Sequence, residues 1–265
     1  MGGRLPCVVL LLAGGMGRRM RMSRPKQYVS VCGRPVLSYA LSAFACHPLV
    51  ESVHVVCAPE WAAFVAEMGR RVCGTKFGGT FRAGETGFES LCNGIEGLAA
   101  GGLPPETLVL THDAVRPLVS QAVIGSCIAT AEAFGNAVAA WSGNEALLET
   151  ADGLLARGCR RREELCGAQT PQAFSLNVLS EAVREAGRLH LPPAQSLVTL
   201  MADLGRWPVA LSRGEWVNFK LTRPEDFVLM RTLLRGGWRT SSGSDGDQVE
   251  RTGNTRLPGL PETGL

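Results

Sequence analysis

Residues 7–13 are all apolar, and Gly14-Gly15 follows at once. A run that short and that uniformly apolar reads as a strand buried on both faces, the condition of a central strand in a parallel sheet. The chain beyond keeps a matching rhythm. Residues 52–58, 107–111 and 137–141 read as further strands. Residues 36–45, 59–72, 90–98 and 122–134 carry apolar side chains at helical spacing. Strands alternating with helices predict an α/β fold, a mostly parallel sheet with helices on both faces.

The 265 residues suit one such domain with an appendage, or two small domains. A 45% hydrophobic share supplies a sizeable core, and a net charge of +3 is too mild to argue for nucleic acid or a membrane surface. Arg4 followed by residues 5–12 and Ala13-Gly14-Gly15 is the rival pattern of a short signal peptide. The strand reading is preferred because the pattern after the glycines stays purposeful, and no stretch approaches the ~20 apolar residues of a membrane span. Nine cysteines without a CxxC pair point to buried thiols in a reducing, cytoplasmic setting.

Residues 142–166 break the rhythm, with charges clustered at 160–164, and read as an excursion or arm. Leu176, Leu179, Val183 and Ala186 mark a helix, and 209–211 and 217–221 read as late strands. Thr222 and Glu225 read as a capping box ahead of a helix faced by Phe227, Met230 and Leu234. One domain over 1–238 is expected, with a polar 239–265 as a disordered tail.

Three segments carry chemistry. After the first strand comes Gly14-Gly15-Met16-Gly17-Arg18-Arg19, then Pro25-Lys26-Gln27. Such a loop lets backbone N–H groups approach phosphate oxygens, and Arg19 and Lys26 add charge-assisted bonds. It is neither a Walker loop nor a dinucleotide fingerprint, and by itself is also compatible with an ordinary turn. Thr111-His112-Asp113-Ala114-Val115-Arg116-Pro117 places a carboxylate past a strand's carboxyl end, where open α/β sheets bind ligands. Asp113 suits Mg²⁺, or caps a helix; His112 reads as a packed strand-end histidine rather than a base. Lys220, in the strand-like 217–221, either faces solvent on an edge strand or needs an anion.

Together LAGGMGRRM with PKQY, THDAVRP, QTPQAF and NFKLTRPEDF resemble the cytidylyltransferase family that includes 2-C-methyl-D-erythritol 4-phosphate cytidylyltransferase and ribitol-5-phosphate cytidylyltransferase. The resemblance runs over about residues 7–234. It implies a Rossmann-like sheet, a projecting dimerisation arm at about 142–166, a homodimer, and Mg²⁺-dependent transfer from CTP to a sugar-alcohol phosphate with pyrophosphate released. By the resemblance, Ala13, Gly14 and Gly15 line the triphosphate loop, with Gly84 and Ser90 near the cytidine and Ala114 near the ribose. Arg19, Lys26 and Lys220 contact phosphates, Asp113 holds the metal, and Arg162 reaches the neighbouring subunit's site.

The chain departs from that pattern. Gly87 stands where the family has an arginine, Asn144-Glu145 replaces its Asp-Thr, Leu147 replaces a basic residue, and a Thr-Asp-(Asp/Glu)-Ala signature is absent around 193–197. The acceptor expected is 2-C-methyl-D-erythritol 4-phosphate. The alternatives are ribitol 5-phosphate, whose branch the local wording resembles more, or a nucleotide-binding pseudoenzyme.

Overall fold

The computed structural model describes residues 5–15, 24–194 and 196–238. The tail, expected from residue 239 on, lies outside them. In chain order the elements are β1 (Cys7–Leu12), a small hairpin of β2 (Ser30–Val31) and β3 (Arg34–Pro35), α1 (Val36–Ala45), β4 (Ser52–Cys57), α2 (Ala62–Cys73), β5 (Phe77–Arg82), α3 (Gly87–Ala100), β6 (Leu108–Asp113), α4 (Gln121–Phe134) and β7 (Asn136–Trp141). Then follow β8 (Leu147–Thr150), β9 (Ala156–Arg160), β10 (Gly167–Ser175), α5 (Leu176–Arg188), α6 (Leu197–Asp203), β11 (Leu211–Arg213) and α7 (Pro224–Arg235).

Seven strands form one sheet in the order β11-β7-β10-β6-β1-β4-β5. All neighbours are parallel except β10, which is antiparallel to both β6 and β7. β1 is central, and its alternation shows why it is apolar throughout. Val9 and Leu11 pack into the core on one face of the sheet, and Val8 and Leu10 into the core on the other. Leu10 and Leu11 are both fully buried, each a gain of about 1.5–3 kcal/mol over an exposed side chain. From β1 the chain winds one way to β4 and β5 and the other way to β6. The switch point therefore falls between β1 and β6, where Leu12 pairs with Asp113.

Several expectations are corrected. Residues 217–221 form no strand: Asn218 N–H bonds Glu215 at 3.0 Å, Leu221 N–H bonds Val115 at 2.8 Å, and the segment crosses the sheet's carboxyl end as a turn and loop. The other late strand begins at Leu211 rather than 209. The capping carboxylate in the first turn of α7 is Asp226, not Glu225; it accepts from the N–H groups of Thr222 and Arg223 and from the Thr222 hydroxyl. β5, β10 and α6 have no counterpart in the sequence reading. β5 holds Gly78, where an added Cβ would lie 2.2 Å from the His54 ring, so close packing excludes the side chain that would mark a strand. All nine cysteines are thiols, but only Cys7, Cys57, Cys73 and Cys127 are buried, while Cys32, Cys46, Cys159 and Cys166 are exposed.

The arm is a hairpin of β8 and β9. It leaves from the end of β7 and returns into β10, its neighbour in the sheet, so it projects from the same carboxyl end as the switch point. Among the described residues no helix is long and apolar enough to cross a membrane.

Candidate active site

A cavity of about 550 Å³ opens at the switch point. Its wall is the residues that follow β1, the start of α3, the end of β6, the start of β10 and the 220–222 loop. Ala13, Gly14, Gly15, Lys26, Ser90, Asp113 and Lys220 all line it. The volume falls within the usual range of small-molecule sites.

On one side the glycine loop meets the start of α3. Gly14 has no room for a side chain, since an added Cβ would come within 2.7 Å of Ala83 Cβ and 2.9 Å of Ser90 Oγ. Ser90 Oγ accepts from Gly84 N–H at 3.0 Å and donates to the Thr86 carbonyl at 2.8 Å, and Thr86 caps α3 by accepting from Glu89 N–H. So Gly84 shapes this corner from behind Ser90. Gly87 stands open on the pocket, with nothing within 4 Å of an added Cβ.

On the other side lies a charge cluster. Asp113 Oδ2 accepts from Arg116 Nε at 3.0 Å, and Oδ1 from Lys220 Nζ at 3.0 Å. Burial alone would raise the Asp113 pKa, but Lys220 and Arg116 outweigh it and hold the carboxyl below its ordinary value. Arg116 Nη1 also donates to the Asn218 carbonyl at 2.8 Å, and Lys26 Nζ to the Leu221 carbonyl at 2.8 Å. Buried Asn218 donates to Gln169 Oε1 and to the Thr170 carbonyl. These bonds take up the backbone of 217–221, which is why it bridges the pocket instead of joining the sheet.

His112 underpins the cluster. It is fully buried, and burial pushes its pKa down to about 4, so the ring is neutral. The Arg116 carbonyl, 3.1 Å from Nε2, can only accept, so Nε2 carries the proton. Nδ1 then accepts from the Thr170 hydroxyl at 2.9 Å, and Thr170 Oγ1 accepts from Asp113 N–H at 3.1 Å. The histidine orients the strand end and is no base.

Of the other expected site residues, one is not described and two line no part of the cavity. Arg19 is outside the described residues. Ala114 is fully buried, its side chain in the core beside the pocket wall. Arg162 sits on the exposed arm, bonded to Glu163 and to the Asn144 carbonyl, and lines no part of the cavity in the single chain. Arg116, Gln27, Thr170 and Asn218 enter the site without having been assigned a role from sequence. Each lies inside one of the quoted motifs, which is the only signal that could have found them.

A glycine loop facing a cation-flanked carboxylate across a switch-point crevice defines the class, an α/β nucleotidyltransferase. Within that class the chain belongs to the family described as IspD, 2-C-methyl-D-erythritol 4-phosphate cytidylyltransferase, which matches residues 7–236. It is 32% identical over 237 residues to the ribitol-5-phosphate cytidylyltransferase of Lacticaseibacillus paracasei, covering 85% of this chain and 97% of that one. It is 34% identical to a bifunctional enzyme IspD/IspF of Rhodopseudomonas palustris, covering 91% of this chain and 61% of that one. Among solved structures, the 2-C-methyl-D-erythritol 4-phosphate cytidylyltransferase of Thermus thermophilus superposes with a TM-score of 0.68 at 29% identity, over 87% of this chain and 100% of that one. The protein is thus a CTP-dependent cytidylyltransferase.

Proposed function

We propose that the protein transfers CMP from CTP to 2-C-methyl-D-erythritol 4-phosphate, as a Mg²⁺-dependent homodimer in the cytoplasm. The observation that carries the site assignment is the Lys220–Asp113–Arg116 cluster at 3.0 Å spacings, facing the glycine loop across one cavity. The name of the matching family favours this acceptor.

An acceptor phosphate is largely dianionic at neutral pH and needs no strong base. Its oxygen attacks the α-phosphorus of CTP in line, a new O–P bond forms, and the bond to the pyrophosphate oxygen breaks. Catalysis rests on positioning and on neutralising charge. Lys26 and the glycine amides face the leaving phosphates, while Lys220 and Arg116 face the acceptor side. Arg19 is assigned to the phosphates by the family motif.

Asp113 fits Mg²⁺. Each of its oxygens keeps a lone pair beyond its cation contact, and one carboxylate with substrate oxygens and waters is a usual Mg²⁺ donor set. No group of three or more His, Cys, Asp or Glu placed to hold a metal ion lies among the described residues, so the remaining ligands would come from substrate. The ion would supply neutralising charge on the phosphates.

The dimer is supported by the arm, whose tip leucines Leu154 and Leu155 are 87% and 70% exposed. Arg162 would then act in the partner's pocket. A second acceptor, ribitol 5-phosphate, is favoured by relatives of that name matched over 93–97% of their length. Pyrophosphate release from CTP with each acceptor decides between them. Faster turnover of ribitol 5-phosphate overturns the first choice, and no turnover of either favours a nucleotide-binding pseudoenzyme.

A further inference from the structure

The glycine loop is braced from behind by Gln27. This side chain is 2% exposed, and its Nε2 donates to two carbonyl oxygens, Ala13 at 2.6 Å and Gly15 at 3.0 Å. The Tyr28 hydroxyl adds a longer bond to Ala13 at 3.4 Å. Tyr28 is itself clamped, stacked on Trp61 at 4.3 Å and edge-on to Phe64 at 5.9 Å, so the backbone carrying Gln27 is held.

The orientation of the amide is forced. Turned over, its oxygen would face two carbonyl oxygens, acceptor against acceptor. As it stands, Oε1 is buried with no hydrogen-bond partner. An orphaned buried acceptor is a cost, so the side chain is kept for its two donors.

Peptide planarity carries the effect across the loop. The Ala13–Gly14 bond is trans, so Gly14 N–H points opposite to the Ala13 carbonyl. With that carbonyl turned onto Gln27, the amide is turned away from it. Among the described residues no protein acceptor takes the N–H of Gly14 or Gly15, and both residues line the cavity. Unsatisfied amides on a pocket wall suit an anion.

We propose that Gln27 is a positioning residue that sets the polarity of the Ala13–Gly14 peptide, aiming the Gly14 N–H at the phosphate chain of the nucleotide. It acts through its N–H donors and not through its bulk. The proposal rests on reading this cavity as the CTP site. It is tested with Gln27→Met, which keeps the bulk without donors, and Gln27→Glu, which replaces donors by charge. Both should raise KM for CTP and Ki for pyrophosphate at least tenfold, while KM for the acceptor changes less than twofold. Wild-type constants in Gln27→Met, or equal weakening toward both substrates, would overturn it. If Gln27→Glu does not fold, Gln27→Met decides, with circular dichroism as the check of its fold. Lys26→Ala separates the two levels: if that change leaves KM for CTP and kcat unaltered, the reading of the cavity itself fails.

Discussion

The two sides of the sheet's carboxyl end are built differently. In the pocket, polar groups answer one another within one chain. Asp113 has a cation on each oxygen, His112 has a partner on each nitrogen, and Asn218 ties the 217–221 loop to β10. The arm, a few residues away along β7 and β10, is a two-stranded hairpin whose side chains are almost all exposed. Its tip is shaped locally, by Asp152 Oδ1 accepting from the N–H groups of Leu154 and Leu155 at 2.9 and 3.0 Å. Isolated hairpins are marginal in water, and exposed leucines add nothing until something covers them. The charged groups of the pocket are therefore paired within one chain, while the arm leaves its apolar tip uncovered.

Changes in the pocket should have the largest effects. Asp113→Asn should abolish measurable turnover, and EDTA should do the same to the wild type. Metal-independent turnover would show that the carboxylate serves only its two cations. Next come Lys220→Ala and Lys26→Ala, each lowering kcat/KM on the order of 10²-fold, as for lost transition-state donors. The fold should survive Lys220→Ala, because Asp113 keeps Arg116; a collapse of the circular dichroism spectrum would make the lysine structural.

Changes in the arm should be smaller and depend on the partner. Leu154→Asp with Leu155→Asp should shift sedimentation toward monomer and lower activity less than the lysine changes do. Arg162→Ala mixed with Lys26→Ala should recover part of the activity, because one site per mixed dimer would be intact. Absence of recovery after subunit exchange would mean that the arm completes no neighbouring site. Glu145, exposed on the arm, should matter least: Glu145→Thr should change the acceptor KM less than threefold. A tenfold tightening, about 1.4 kcal/mol, would mean that this carboxylate faces the acceptor's phosphate.

Periodicity alone located β1, α1, β4, β6, α4 and β7, because central parallel strands and their covering helices must be apolar where they are buried. It also placed the glycine loop and Asp113 at strand ends, and so the site. β10 stayed hidden because it spells GAQTPQAFS: glycine, proline and two glutamines suppress the strand signal. Gln169 and Gln172 are nonetheless buried there, their amides bonded to Glu215 and to the Gln169 carbonyl. Residues 217–221 failed the other way. The segment read as a strand, but Arg116 and Lys26 claim carbonyls that a ladder would have used. What the sequence determined by itself was the sheet's buried core and the residue types at its edge, since burial and turn chemistry act over a few neighbours. Only the tertiary structure decided which distant side chains share a carboxylate, a carbonyl or a ring nitrogen, because those hydrogen bonds join segments up to 195 residues apart and leave no local pattern.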